Sequence, residues 1–331
     1  MIAKLAPPLK HLDEDASLAL VTDPSVPGIG AGLPASGFPA EILWAFPFRV
    51  SRSFLARAVH GDPADPLWLQ FAPQAREADP TGSKDPLGER QRLPSPRLIR
   101  KYAGRALLLA STECSIHCRY CFRRHFPVRA QAREDPDCEA AVALLAGDPS
   151  IREVILSGGD PLTLSPARLA SLCGRLNGLA HLATLRVHSR EPVVRPGRIG
   201  PELLAALGRF ARRRVLVIHA NHAREITPAV VRALQAFRTE GFHLLNQSVL
   251  LAGVNDDPGS LADLSESLFS AGVLPYYLHQ LDPVQGGTHF AVADDRACAI
   301  HQELRTRLPG YLVPRLVREV PGAPAKTPLE G

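Results

Sequence analysis

Three cysteines, Cys114, Cys118 and Cys121, fall inside eight residues of "ECSIHCRYCFRRHF" with the spacing C-x3-C-x2-C. Thiolates are soft ligands that select zinc or iron–sulfur clusters. A structural zinc closes with four ligands, so the zinc reading needs a fourth, with His117 and His125 at hand. A cubic four-iron cluster on three cysteines instead leaves one iron open to a substrate or cofactor. Further on, "LSGGDPL" places Gly158 and Gly159 where a ligand can approach the backbone closely, and Asp160 where a carboxylate and nearby amides can receive an amino group and a carboxylate. Gly-Gly-Asp-Pro is equally a good turn. After Lys101 the chain has one more lysine, Lys326 in "PAKTPLEG", which on composition alone reads as a solvated tail.

These residues need elements to hold them. From Gly104 onward, apolar strand candidates ("RALLLAS", "REVILSGGDP", "ATLRVHSR", "RVLVIHAN", "FHLLNQSV", "GVLPYYLHQ") alternate with helical patterns ("SPARLASLCGRL", "GPELLAALGRF", "TPAVVRALQAFRTEG", "SLADLSESLFSAG"). That alternation predicts parallel βα units. No glycine triplet follows the first strand, which disfavours a dinucleotide fold and leaves an α/β barrel or partial barrel. Functional side chains then belong just after the strand ends, where Cys114–Cys121, Gly158–Asp160, His188–Arg190, His219–Asn221, Asn246–Gln247 and His279–Asp282 collect. Residues 1–95 are turn-rich and proline-punctuated and read as an extension of short helices and irregular chain. Residues 96–312 read as the barrel and 313–331 as a C-terminal tail.

Composition narrows the classes. Hydrophobic residues make up 45% and charged residues 21% of 331, as in an ordinary globular protein, and no apolar run has the length of a membrane span. The first residues lack the sustained apolar stretch of a secretory signal. Six cysteines are too few for a disulfide scaffold and suit a reduced, cytoplasmic compartment. A net charge of +5 favours anionic ligands only weakly, and 6% aromatics do not supply the stacking surface of a nucleic-acid binder. A zinc-clipped nucleic-acid module is therefore the weaker, non-enzymatic alternative.

"KYAGRALLLASTECSIHCRYCFRRHF", "ILSGGDPL", "HSREPVVRPGRI", "HANHAREI", "LLNQSVLLAGVND", "GVLPYYLHQLDPVQGGTHF", "GYLVPRL" and "AKTPL" occur in that order between Lys101 and Leu329. Together they resemble the lysine 2,3-aminomutases of the radical S-adenosylmethionine superfamily, and within them the bacterial enzymes that supply (R)-β-lysine for modification of elongation factor P. The resemblance implies a partial (β/α)6 TIM-like barrel whose mouth the C-terminal tail closes. It implies a 4Fe–4S cluster on Cys114, Cys118 and Cys121, and S-adenosylmethionine against Gly158, Gly159 and Asp160. Pyridoxal 5'-phosphate would form an aldimine with Lys326 beside Tyr102, Arg105 and Gln247. Arg123 would pair with the carboxylate of free lysine, and Asp282 and Glu319 with its distal ammonium, Glu319 standing where clostridial members have aspartate.

The implied reaction turns L-lysine into (R)-β-lysine through a 5'-deoxyadenosyl radical. The implied partners are a reductant protein such as flavodoxin or ferredoxin, elongation factor P with its β-lysine ligase, and a second copy of the chain in a homo-oligomer, with neither nucleic acid nor membrane. The clostridial C-terminal zinc cysteines have no counterpart after Cys298, so no such zinc is expected. Glutamate 2,3-aminomutases share much of the pattern and form the alternative enzyme reading. Roles for His188, Arg190, His219, Asn221 and His289 are not assigned by either route.

Overall fold

The computed structural model describes residues 20–22, 40–59 and 61–329. β1 (Leu98–Tyr102) turns through Gly104, whose φ of 71° suits glycine, into β2 (Arg105–Ser111). Then follow α1 (Val128–Glu134), α2 (Glu139–Ala146), β3 (Glu153–Gly158), α3 (Pro166–Asn177), β4 (Thr184–Ser189), α4 (Pro201–Gly208) and β5 (Arg213–Ile218). The chain continues with α5 (Pro228–Thr239), β6 (His243–Val249), α6 (Pro258–Ser270), β7 (Leu274–His279), α7 (Asp294–Arg307), β8 (Arg315–Arg318) and β9 (Thr327–Pro328).

Local chemistry starts the helices. Ser165, Thr227 and Asp257 each accept the amide of the residue three further on, and a proline follows each at the first helical position. The side-chain oxygen satisfies an amide with no intrahelical partner, and the proline gives up an N–H that the helix does not use. Apolar faces then turn inward: Leu169, Leu172 and Leu176 of α3, and Val230, Leu234 and Phe237 of α5, are buried against Leu156, Val187, Leu216 and Ile218 of the strands.

The sheet has nine strands in strictly sequential order. β2 to β8 pair in parallel, while β1 and β9 are antiparallel edges. This is the expected α/β partial barrel, with all six anticipated strands in place. A seventh parallel strand, β8, and the edge strand β9 come from the segment read as a tail. The four-residue run "RLVR" and a strand containing proline carry too little pattern to announce themselves. No backbone ladder joins β1 to β9. Instead Lys101 of β1 forms an ion pair with Glu319, just past β8, so side chains bridge the gap.

The N-terminal segment does contain short helices, among them Arg52–Leu55 and Pro66–Leu69. It is not peripheral: Phe48, Val50, Phe54, Leu67 and Phe71 are buried in the same core as the strands. The Phe71 ring lies 6.2, 6.0 and 5.3 Å from those of Phe48, Phe54 and Trp68. No described helix is long and apolar enough to cross a membrane. Phe71→Ala is expected to lower stability by about 3–5 kcal/mol, read from the urea midpoint at constant slope.

Candidate active site

The cysteine loop leaves the end of β2, and its three thiols are free and partly exposed. Burial and the neighbouring charges push the Cys114 thiol well above its ordinary range and Cys121 to about 11. Negative thiolates here therefore call for a cation to share. Among the described residues, no three His, Cys, Asp or Glu side chains converge tightly enough to hold one metal ion. An iron–sulfur cube carries its thiolates on separate irons and needs no such convergence. His117 Nδ1 contacts Pro47 O at 2.7 Å and His125 Nε2 contacts Gln285 O at 3.0 Å.

Behind Cys118 stands a buried polar network. Arg190 donates from Nη1 to Cys118 Sγ and Tyr120 Oη, both at 2.8 Å, and from Nη2 to Gln70 Oε1 at 2.6 Å and Glu225 Oε2 at 2.9 Å. Asn221 Nδ2 donates to the same Gln70 oxygen at 3.0 Å, and Tyr120 Oη meets His219 Nε2 at 2.8 Å. His219 is fully desolvated, which holds its imidazole neutral.

The glycines answer to the cysteine loop. Gly158 has φ +112°, and a Cβ there would lie 2.4 Å from Ser111 O; one on Gly159 would lie 2.5 Å from Glu113 O. Gly159 N donates to Ser111 O at 2.8 Å and Asp160 N to Glu113 O at 2.7 Å. Only residues without Cβ let the two loops touch this closely. The Asp160 carboxylate, read as a receiver for a ligand's amino group, is already engaged. It accepts from Ser189 Oγ and Leu162 N on one oxygen and from Arg190 N and Glu191 N on the other. Burial nonetheless raises its pKa. In the structure Asp160 latches the end of β3 to the end of β4.

Three of the remaining expected residues, Arg123, Glu319 and Lys326, are joined through Glu89 and Lys101 in a chain of alternating charge. Arg123 Nε and Nη2 donate to Glu89 Oε2 and Oε1 at 2.7 and 2.8 Å. Glu89 also pairs with Lys101 Nζ at 2.9 Å, Lys101 pairs with Glu319, and Glu319 Oε2 accepts from Lys326 Nζ at 2.8 Å. Burial opposes the charge on Glu319, but Lys326 and then Lys101 overcome it and hold the carboxyl far below its ordinary range. Lys326 Nζ also sits 5.6 Å from the centre of the Tyr277 ring. Gln247, half-buried in β6, is in register with Tyr277.

Asp282 differs from Glu319. Among the described residues no cation pairs with it, and burial, then Glu319, push its carboxyl up to about 7. Tyr102 is raised by burial and by Glu319, and the Arg105 guanidinium lies 4.9 Å from its ring centre. Arg105 Nε and His188 Nε2 are buried without partners. His188 and His279 are held neutral first by burial. The donor set therefore fits the implied groups: three soft thiols, an orphaned guanidinium N–H for a phosphate, and the Lys326 amine. Glu89 and Lys101 were not singled out by sequence reasoning as site residues, because a charged, proline-rich connector and a strand-end lysine look like ordinary surface.

The chain matches the Radical SAM superfamily model over residues 108–264. It is 46% identical over 287 residues to the L-lysine 2,3-aminomutase of Escherichia coli K12, covering 86% of this chain and 84% of that one. It is 41% identical over 311 residues to the Haemophilus influenzae L-lysine 2,3-aminomutase, covering 93% and 92%. The identity to the Clostridium subterminale L-lysine 2,3-aminomutase is 35% over 293 residues, covering 88% of this chain and 70% of that one.

The Asp282 carboxyl has a pH signature. Its value of about 7 in the fold against 3.8 ordinarily means that the folded chain keeps a proton which the unfolded chain releases. Its contribution to stability is therefore full below about pH 4 and lost as pH rises to 7. Asp282→Asn is expected to flatten that decline, measured as the urea midpoint against pH in protein without ligands.

Proposed function

Since the chain belongs to the lysine 2,3-aminomutase family of radical S-adenosylmethionine enzymes, we propose that it converts L-lysine to (R)-β-lysine with pyridoxal phosphate on Lys326. Use of an iron–sulfur cluster and S-adenosylmethionine follows from the family. When bound, the cluster with S-adenosylmethionine supplies the radical that removes and returns a hydrogen, and pyridoxal phosphate carries the migrating nitrogen. The chain's own residues place and charge these groups.

One observation supports the substrate above others: Asp282 carries a half-buried carboxyl that Glu319 repels and that no ion pair among the described residues neutralises. A distal ammonium satisfies it, whereas a glutamate side chain would add a third carboxylate and its repulsion. Arg123 is the cation for the other end of the substrate. Glu319 Oε2 holds the charged Lys326 Nζ at 2.8 Å. With pyridoxal phosphate held on Lys326, Glu319 and Asp282 would be placed to receive the distal ammonium of the substrate. Arg105, with its unpaired Nε, would take the phosphate, and Tyr102 and Gln247 would stand beside the cofactor. Cys114, Cys118 and Cys121 hold the cluster, and the Gly158–Asp160 loop shapes the adjoining S-adenosylmethionine site. The setting is the reduced cytoplasm, where the six thiols stay unpaired. Reduced flavodoxin or ferredoxin supplies the electron, and the product passes to the ligase that modifies elongation factor P, as the motif resemblance implies.

The test is anaerobic reconstitution with iron and sulfide, then incubation with lysine, S-adenosylmethionine, pyridoxal phosphate and reductant. Chiral chromatography should show (R)-β-lysine; conversion of glutamate in preference to lysine would overturn the reading. Lys326→Ala should lose the visible absorption of bound pyridoxal phosphate while its iron content stays unchanged. Borohydride trapping should label Lys326, and a label on Lys101 would remove the tail from the chemistry.

A further inference from the structure

Glu89 is 1% exposed and opens a one-turn 3-10 helix, Glu89–Arg92, with its amide held by Asp85 Oδ1 at 3.0 Å. Burying a carboxylate is costly unless cations and hydrogen bonds surround it. Here Arg123 and Lys101 do so, and although burial opposes them, they keep its pKa below the ordinary value. A guanidinium has five N–H donors. Arg123 gives Nε and one Nη2 hydrogen to Glu89, and one Nη1 hydrogen to Ser157 Oγ at 3.0 Å. Among the described residues, one N–H remains free on each terminal nitrogen, which is what a carboxylate accepts.

We propose that Glu89 is a positioning residue for the substrate carboxylate: it grips the Nε edge of Arg123 so that the remaining N–H pair faces the lumen, and through Lys101 it sets that fork at a fixed distance from Glu319. The inference rests on the lysine reading above. Glu89 keeps the two recognition ends apart and so acts as a gauge of substrate length.

The test uses holoenzyme carrying cluster and pyridoxal phosphate, without S-adenosylmethionine, so that binding is read apart from turnover. Lysine and cadaverine, the analogue without the carboxylate, are titrated while the visible absorption of the cofactor is followed. Glu89→Gln should raise the lysine concentration at half-shift by about 30-fold or more, and leave the cadaverine titration in place. Glu89→Asp, which keeps the charge but shortens the reach, should show a smaller loss for lysine alone. If Glu89→Gln does not retain cofactor, Glu89→Asp decides by the same lysine–cadaverine difference. An unchanged lysine titration, or equal weakening of both ligands, overturns the clamp while the lysine reading stands. No response of the unaltered holoenzyme to lysine overturns that reading and the clamp with it.

Discussion

A sheet that bends toward closure without a backbone ladder between its edges must be held by side chains, and Glu319 is the residue in that position. It accepts from Lys101 of β1 on one side and from Lys326 beside β9 on the other. The attraction is little screened because the groups are largely desolvated, and the same burial makes loss of any one partner costly. Lys326 and, through Lys101 and Glu89, Arg123 take their places relative to this bridge. Lys101 passes it on to Glu89 and Arg123, while Asp282 is left facing the carboxylate that its neighbours have claimed.

The cluster side rests on a different contact. Glycines 158 and 159 bring the end of β3 against the backbone of the cysteine loop, and Asp160 ties the same loop to β4. Arg190 continues the connection from β4 to Cys118 and back to Gln70 in the N-terminal segment. The cysteine spacing is therefore only half of the site. Its other half is a set of strand ends locked together by short backbone approaches and one buried guanidinium. The N-terminal segment joins them through Gln70, which accepts from Arg190 and Asn221.

Elements with strong local chemistry were legible in the sequence: the six apolar strands, the helices opened by Ser165-Pro166 and Thr227-Pro228, the body of α6 from Ser260 onward, and the cysteine loop. β8 and β9 were not, since four residues and two residues carry no usable period, and their pairing depends on a sheet already formed. The ligand-facing residues of the lumen came from resemblance, because Arg105, Gln247 or Glu319 alone says nothing about what lies across a barrel. Asp160 shows the limit of reading a turn: its carboxylate meets four donors from segments that only the fold brings near. Glu89 was hidden for the opposite reason, a charged residue in a charged stretch whose burial depends on distant partners.

Pro328 has a consequence beyond the site. β9 is the outer rim of the sheet, two residues long, with Pro328 opposite Val317. A proline offers no N–H, so a strand from another molecule finds no continuous ladder on this rim to extend. The short segment that carries the Lys326 amine to the lumen thus also guards the sheet against edge-on polymerisation, and one stretch of chain serves both chemistry and solubility.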